Sequence, residues 1–175
     1  MNLLLDTNIF IKLRGSKVGP QVEAILGRHT GARLFISDMT CFEIIRASND
    51  LEDAEHAVQL LCSKAKRVPV DKDMLCYAAY YYNILCKYMK DGGLMKAIYP
   101  KHLSDSDTII GATAIRMHCM ICTTNGNDFP RPFFTEVSVD DLGIDQKERL
   151  FILQADTPFY DAQFKRLMKG TPPSH

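Results

Sequence analysis

Short apolar runs alternate along this chain with longer segments of helical periodicity, and this alternation constrains the fold more than any other feature. The predicted strands are Leu3-Leu4-Leu5, Arg33-Leu34-Phe35-Ile36, Arg67-Val68-Pro69-Val70 and Cys119 to Thr123. Between them, apolar residues recur every three or four positions, as in amphipathic helices. Strands that alternate with helices form βαβ units. We therefore expect an α/β fold with a short parallel central sheet and helices on both faces.

Capping residues and breakers mark where the other elements begin and end. Ser37 or Asp38 is expected to cap one helix, Asp71 a long helix that reaches about Lys90, and Asp105 or Ser106 a later one. Gly92-Gly93 and Pro100 indicate a loop. We predict further helices around residues 22–26 and 51–64, a strand over residues 135–139, a short helix after residue 145 and a helix over residues 159–168.

The length of 175 residues suits one domain. We expect residues 1–140 to form its core and residues 141–175 to add a C-terminal helical extension and tail. Neither a leader segment nor an apolar run of about 20 residues is visible, so a cytoplasmic protein without a membrane span is expected. The six cysteines are expected to be reduced core thiols, with Cys119 and Cys122 on opposite faces of one strand.

The net charge of zero argues against a protein that binds nucleic acid mainly through an overall positive charge. The chain has 21 basic and 21 acidic residues. A polyanion would therefore have to be held by a local positive surface or by metal ions.

Four acidic residues stand where a parallel sheet of this kind places its ligands. Asp6 follows the first strand directly, and Asp128 follows the strand that ends at Thr123. Glu43 lies on the helix after the second strand, and Asp107 lies in the first turn of the helix before the fourth. Ligands bind beyond the carboxyl ends of parallel strands. We therefore expect these side chains to meet at one mouth of the sheet.

A cluster of carboxylates favours a divalent cation. Like charges a few ångströms apart raise each other's pKa, and a cation relieves the repulsion. Hard oxygen ligands without paired histidines or thiolates suit Mg²⁺ or Mn²⁺. Such ions activate water and stabilise the leaving oxygen of a phosphodiester. The residues therefore indicate phosphodiester hydrolysis.

Four short motifs, in order, resemble those of the PIN-domain nucleases and more narrowly of the VapC-type toxins. They are Asp6-Thr7-Asn8, Thr40-Cys41-Phe42-Glu43, Asp107-Thr108-Ile109-Ile110-Gly111-Ala112-Thr113-Ala114 and Thr123-Thr124-Asn125-Gly126-Asn127-Asp128-Phe129. Each motif alone is weak, and their shared order over residues 1–140 makes the resemblance specific. The resemblance implies a PIN-like three-layer α/β/α sandwich and a ribonuclease that cleaves single-stranded or structured RNA with Mg²⁺ or Mn²⁺.

The resemblance also implies roles for individual residues. Asp6 and Asp107 would hold the principal metal, Glu43 would orient or activate the attacking water, and Asp128 would complete the acidic pocket. Hydroxyl and amide groups would support these acids through hydrogen bonds, from Asn8, Thr40 and Thr123. A toxin would also have an antitoxin partner that inserts a basic residue into the pocket, and the family leads us to expect a homodimer.

The fourth motif departs from the family pattern, because Asn125 stands where many relatives carry an acid. Asp128 is the nearest carboxylate and the expected fourth acid, while Asp105 is the alternative. This departure and the neutral net charge leave a second hypothesis open: a PIN-like module that binds nucleic acid or protein but does not cut.

Basic residues near the first two motifs are candidates for phosphate contacts, with a solvated basic face as the alternative. Three follow the first motif and one lies a turn beyond Glu43: Lys12, Arg14, Lys17 and Arg46. Each acid also has a structural alternative, since Asp6 could be a helix N-cap and Asp107 a first-turn acid favoured by the helix dipole.

Overall fold

The structure is a computed structural model that describes residues 1–91, 104–142 and 148–169. Its strands are β1 Asn2–Leu5, β2 Arg33–Ser37, β3 Lys66–Val68, β4 Met120–Thr123, β5 Phe134–Leu142 and β6 Glu148–Ala155. Its helices are α1 Thr7–Gly15, α2 Gly19–Gly27, α3 Asp38–Ala47, α4 Leu51–Lys64, α5 Lys72–Asp91, α6 Asp105–Arg116 and α7 Thr157–Met168. The loop predicted around Gly92 and Pro100, and the tail from residue 170, lie outside the described residues.

The strands form one six-stranded sheet in the order β3-β2-β1-β4-β6-β5. The first four strands in this order are parallel, as predicted. Strand β6 is antiparallel to both β4 and β5, so an antiparallel pair extends the parallel part. The chain adds β2 and β3 on one side of β1 and β4 on the other. This change of direction opens a crevice at the carboxyl ends of β1 and β4.

The segment after residue 145 is where the predicted secondary structure is wrong. We predicted a short helix, but residues 148–155 form strand β6 between β4 and β5. Leu150 and Ile152 pack on one face of the sheet and Leu153 on the other. A continuous apolar run fits a strand buried on both faces as well as a buried helix, and the pairing partners decide between them. Among the described residues of the predicted extension, 141–142 and 148–169, only α7 is helical.

Two hydrophobic clusters, one on each face of the sheet, confirm the three-layer sandwich. Along β1, Leu3 and Leu5 face the cluster under α1 to α4, while Leu4 faces the cluster under α5 to α7. Cys119 belongs to the second cluster and Cys122 to the first, as strand alternation predicts. All six cysteines are free thiols, but the prediction that they lie in the core is wrong for Cys62 and Cys76, which are exposed.

An aromatic group joins α5 to α7 on the second face. Tyr81 is fully buried and meets Phe133 edge to face, with ring centroids 5.5 Å apart. Tyr77 contacts Tyr160 of α7 at 5.1 Å. The tyrosine-rich stretch of α5 therefore contributes to the core, as its helical spacing indicated. Within the three described ranges, no helix combines the length and hydropathy that a membrane span requires.

Candidate active site

Asp6 lies at the crevice between β1 and β4 and begins helix α1. Its backbone N–H donates to the Cys122 carbonyl at 3.0 Å, which ties the end of β1 to β4. Its carboxylate accepts from the Thr7 N–H and from the Thr123 hydroxyl, each at 2.7 Å. Asp6 is therefore both the N-cap of α1 and a carboxylate at the mouth of the sheet, and only 3% of it is exposed.

Thr123 and Asn8 connect Asp6 to the loop after β4. The buried Thr123 hydroxyl accepts from the Asn8 side-chain amide at 3.2 Å and from the Asn125 N–H at 3.0 Å. The Asn8 side-chain oxygen, Oδ1, accepts from the Thr124 N–H at 3.0 Å. Asn8 and Thr123 therefore fix the position of Asp6 relative to the fourth motif.

Glu43 approaches Asp6 from helix α3. The Thr7 hydroxyl donates to Glu43 Oε2, and the Arg46 guanidinium lies 3.9 Å from Glu43 Oε1. Thr40, one turn before Glu43, donates its hydroxyl to the Leu5 carbonyl at 3.5 Å. Thr40 thus holds α3 against the end of β1, so its contact with the acids is indirect.

Asp107 comes from the first turn of α6, and its neighbourhood corrects one prediction. The N-cap is Ser104, not Asp105 or Ser106: its hydroxyl oxygen accepts from the Asp107 N–H at 3.1 Å and its hydroxyl donates to Asp107 Oδ2. A serine followed three places later by an acid is the sequence pattern of a capping box. That pattern was available in the sequence and identifies Ser104.

Asp128 and Asp105, the two candidates for the fourth acid, lie in different places. The charges of Asp107 and Asp6 both act on Asp128, and the Asn125 side chain hydrogen-bonds its carboxylate. Asp105 is exposed and lines a separate cavity of about 440 Å³ with Met39 and Tyr82. The structure therefore places the charge of Asp128 close enough to act on those of Asp6 and Asp107, whereas Asp105 lies at the other cavity.

The acids surround a cavity of about 240 Å³ at the end of the crevice. Its lining combines three of the acids with residues of α1 and α3, namely Asp6, Thr7, Asn8, Ile11, Glu43, Arg46, Ala47 and Asp107. Thr7 and Ile11 are additions to the predicted set. They lie one helical turn apart on α1, so their side chains lie on the same face of that helix, beside Asp6 at its N-terminus.

Burial and mutual repulsion shift the protonation of three acids. Burial raises the pKa of Asp6 to about 6 against the lowering effect of its hydrogen bonds, and the charges of Asp107 and Glu43 add to the rise. Burial, followed by the charges of Asp107 and Asp6, raises the pKa of Asp128 to about 7. Burial also raises the pKa of Asp107. The folded chain therefore disfavours full ionisation of this cluster.

The donor set suits a divalent cation in its chemistry. Four carboxylates that repel one another gain from a positive charge between them, and oxygen ligands match Mg²⁺ or Mn²⁺. Three of them now accept hydrogen bonds from hydroxyls of Thr123, Thr7 and Ser104. As these side chains are placed, no three His, Cys, Asp or Glu residues in the described ranges converge tightly enough to hold one ion.

The four basic candidates separate into different surroundings. Arg46 lines the acidic cavity. Lys12 forms an ion pair with Glu148 of β6 at 2.8 Å, and Arg14 lies over the Phe10 ring at 5.9 Å. Lys17 lies in the turn between α1 and α2, away from the cavity lining. Of the four, Arg46 alone lines this cavity.

A family model for the PIN domain matches residues 3–133. The chain belongs to the PIN-domain family. The matched range contains all four motifs and all four acids of the cluster, so the family assignment made from the motifs is confirmed. Among curated proteins, none matches this chain significantly.

Solved structures confirm the PIN fold of the chain. VapBC from Salmonella typhimurium bound to DNA matches with a TM-score of 0.55 and 18% identity, over 75% of this chain and 92% of that chain. VapBC2 from Rickettsia felis, bound to a DNA fragment from its promoter, gives 0.53 and 17%, over 74% and 91%. VapBC-1 from nontypeable Haemophilus influenzae gives 0.51 and 23%, over 74% and 90%. At these identities the likeness is one of fold.

Proposed function

We propose that this PIN-domain protein is a Mg²⁺- or Mn²⁺-dependent endoribonuclease that hydrolyses RNA phosphodiester bonds in the cytoplasm. The observation that carries the proposal is that Asp6, Glu43 and Asp107 line one cavity at the switch point of the sheet, with Asp128 close enough for its charge to interact with Asp6 and Asp107. Carboxylates at this place are costly to the metal-free fold, because the pKa values of Asp6, Asp107 and Asp128 are raised. A functional requirement for a cation explains why they stand together.

Each acid has a distinct part in this mechanism. Asp6 and Asp107 would hold the principal metal, and Asp128 would complete the charged pocket. A bound divalent cation supplies the positive charge that activates water and stabilises the leaving oxygen. Glu43 orients the attacking water, and the Thr7 hydroxyl holds the Glu43 carboxylate in position. Asn8 and Thr123 keep Asp6 fixed by the hydrogen bonds described above.

We further propose that the chain is the toxin of a toxin–antitoxin pair. The proteins of similar fold are VapBC complexes, and we propose that this chain likewise has a small antitoxin partner. A cationic side chain of that partner would enter the acidic cavity and neutralise it. We also retain the homodimer as a prediction, which sedimentation of the purified chain tests.

Paired substitutions on helix α6 test the nuclease. Asp107→Asn should lower the rate of RNA cleavage by about 100-fold or more, because a charged ligand is lost from the site. Asp105→Asn is the matched control, since this residue lies in the same helical turn but lines the other cavity. Cleavage of total RNA in Mg²⁺ or Mn²⁺ should be complete for wild type and the control, and EDTA should abolish it.

The result that contradicts this proposal is equally direct. Equal cleavage by the Asp107→Asn protein and by wild type would show that the acidic cluster is not the catalytic centre. Calorimetry distinguishes the non-catalytic hypothesis: a folded wild-type chain that binds no Mn²⁺ at millimolar concentration and cuts no RNA would be a binding module.

A further inference from the structure

Two large apolar side chains lie exposed beside the acidic cavity. Phe42 precedes Glu43 on α3 and is 52% exposed, and Ile11 on α1 lines the cavity while 55% exposed. Neither belongs to the two hydrophobic clusters that build the core. Single exposed apolar side chains are common on protein surfaces. These two are distinguished by position, because Ile11 and Arg46, which contacts Phe42, both line the acidic cavity.

Arg46 connects Phe42 to the acids. Its guanidinium lies over the Phe42 ring at 5.6 Å from the centroid and 3.9 Å from Glu43 Oε1. The Arg46 side chain is 65% exposed. Both of its interactions are therefore solvated and weak, and each can be exchanged for another partner at small cost.

We propose that the Phe42 ring is a stacking platform for one unpaired base of the RNA, next to the phosphate that is cleaved, and that Arg46 leaves the ring to bind a backbone phosphate. This inference rests on the proposed nuclease function. The family resemblance already implies single-stranded or structured RNA as the substrate, and the inference names the side chains that would hold its unpaired base and its phosphate.

The chemistry of the rim favours an RNA base over an apolar protein segment. A guanidinium already lies over the ring at 5.6 Å from its centroid, and a nucleobase also presents a flat face. The freed cation then stands at the mouth of the carboxylate cavity, where the charge of the incoming phosphate needs a partner. With a net charge of zero, the chain gains little from its overall field, so local contacts matter, and stacking would add to them.

The proposal excludes cleavage inside an intact duplex. Paired bases are covered on both faces by their neighbours, whereas bases in loops and single strands can be stacked on an aromatic side chain. Since every base has a π face, the platform selects for an unpaired base and not for a particular sequence.

Three variants of exposed side chains test the platform. Phe42→Ala removes the ring, Phe42→Trp keeps an aromatic face, and Leu60→Ala is the control. Leu60 lies on α4, is 49% exposed, and is absent from both core clusters, as Phe42 is. Circular dichroism and thermal unfolding should show the fold unchanged in all three.

The second part of the experiment changes the RNA substrate. After the cleavage position has been mapped, an oligoribonucleotide is made with an abasic nucleotide on one side of it or on the other. We expect one abasic substrate to be cut about tenfold more slowly by wild type, and Phe42→Ala to lose about tenfold on the intact substrate. The two losses should not add, because both remove the same contact. Phe42→Trp and Leu60→Ala should cut the intact substrate at the wild-type rate.

A binding measurement separates this proposal from the nuclease itself. The Asp107→Asn protein is mixed with RNA that carries 2-aminopurine beside the cleavage position, and quenching is compared with and without Phe42→Ala. Quenching that depends on Phe42 supports the platform even if no variant cuts RNA. Full cleavage and unchanged quenching with Phe42→Ala would overturn it, and a loss of antitoxin binding in that variant would then identify the rim as a protein interface.

Discussion

The N-termini of α1 and α6 each bring an acid to the site, but they do so in different ways. At α1, Asp6 itself caps the helix, is almost fully buried, and accepts hydrogen bonds with both oxygens. At α6, the exposed Ser104 is the cap, and Asp107 stands three places further on, half-buried. The first helix combines structure and chemistry in one residue, whereas the second divides them between two. Substitutions at α6 should therefore separate stability from activity, and those around Asp6 should not.

Thr123→Val should give the largest loss of stability around Asp6. The substitution keeps the shape of a fully buried side chain but removes a hydroxyl that serves Asp6, Asn8 and Asn125. Leaving the buried Asp6 carboxylate without this donor should cost about 1–3 kcal/mol in the free energy of unfolding, measured with urea.

Thr113→Val is the matched control for that measurement. Thr113 is equally buried, but its hydroxyl donates only along its own helix, to the Ile109 carbonyl at 2.7 Å. The smaller loss should occur here. An equal loss in the two variants would mean that the network around Asp6 adds nothing beyond burial of a threonine.

Ser104→Ala should give a smaller loss, at α6. Removal of an N-cap hydroxyl costs about 1 kcal/mol in the free energy of unfolding. Ser104→Thr should restore most of it, because threonine also caps helices. RNA cleavage by Ser104→Ala should persist, since the Asp107 carboxylate remains. Loss of cleavage as complete as with Asp107→Asn would contradict the division of roles at α6.

The contribution of Asp128 to the pH dependence of stability should be the smallest effect. The pKa of Asp6 is raised to about 6 and that of Asp128 to about 7, against about 3.9 in an unfolded chain. A carboxyl with a raised folded-state pKa favours folding when protonated. Its contribution is complete below about pH 4 and is lost as the pH rises through 6 and 7.

Asp128→Asn should reduce this fall in stability for the metal-free protein. Because Asp128 is only half-buried, solvent screening limits the gain at pH 8 to about 1 kcal/mol or less. Thermal unfolding in EDTA from pH 4.5 to 8 measures it, with Asp105→Asn as control. If the stability of Asp128→Asn falls with pH as much as that of wild type, the pKa of Asp128 is not raised in the folded protein.

The parallel part of the fold could be predicted from the sequence because its signals are local. Apolar runs and helical spacing locate the four parallel strands and most helices to within a few residues. The acids were located in the same way, since each follows a strand or lies in the first turns of a helix. Ser104 could also be predicted as the N-cap of α6, because the capping-box pattern is local. The prediction of Asp105 or Ser106 as the cap was wrong.

Strand β6 could not be predicted in the same way. Leu150 to Leu153 is an apolar run that fits a helix or a buried strand, and its identity depends on pairing with β4 and β5. The surroundings of a surface lysine depend on this strand. Lys12, a candidate for phosphate contact or for a solvated basic face, forms an ion pair with Glu148 of β6.

The acidic cluster shows which features of the site the sequence predicts and which depend on the tertiary structure. Motif order and strand ends determined three of the acids, Asp6, Glu43 and Asp107, and left Asp128 and Asp105 as alternatives for the fourth. Only the packed chain decided which of the two lies with the others. The turn after β4 directs Asp128 towards Asp107, while α6 directs Asp105 to another cavity. Helical spacing and capping are fixed by neighbours in the chain, but the direction of a loop side chain depends on elements far away in sequence.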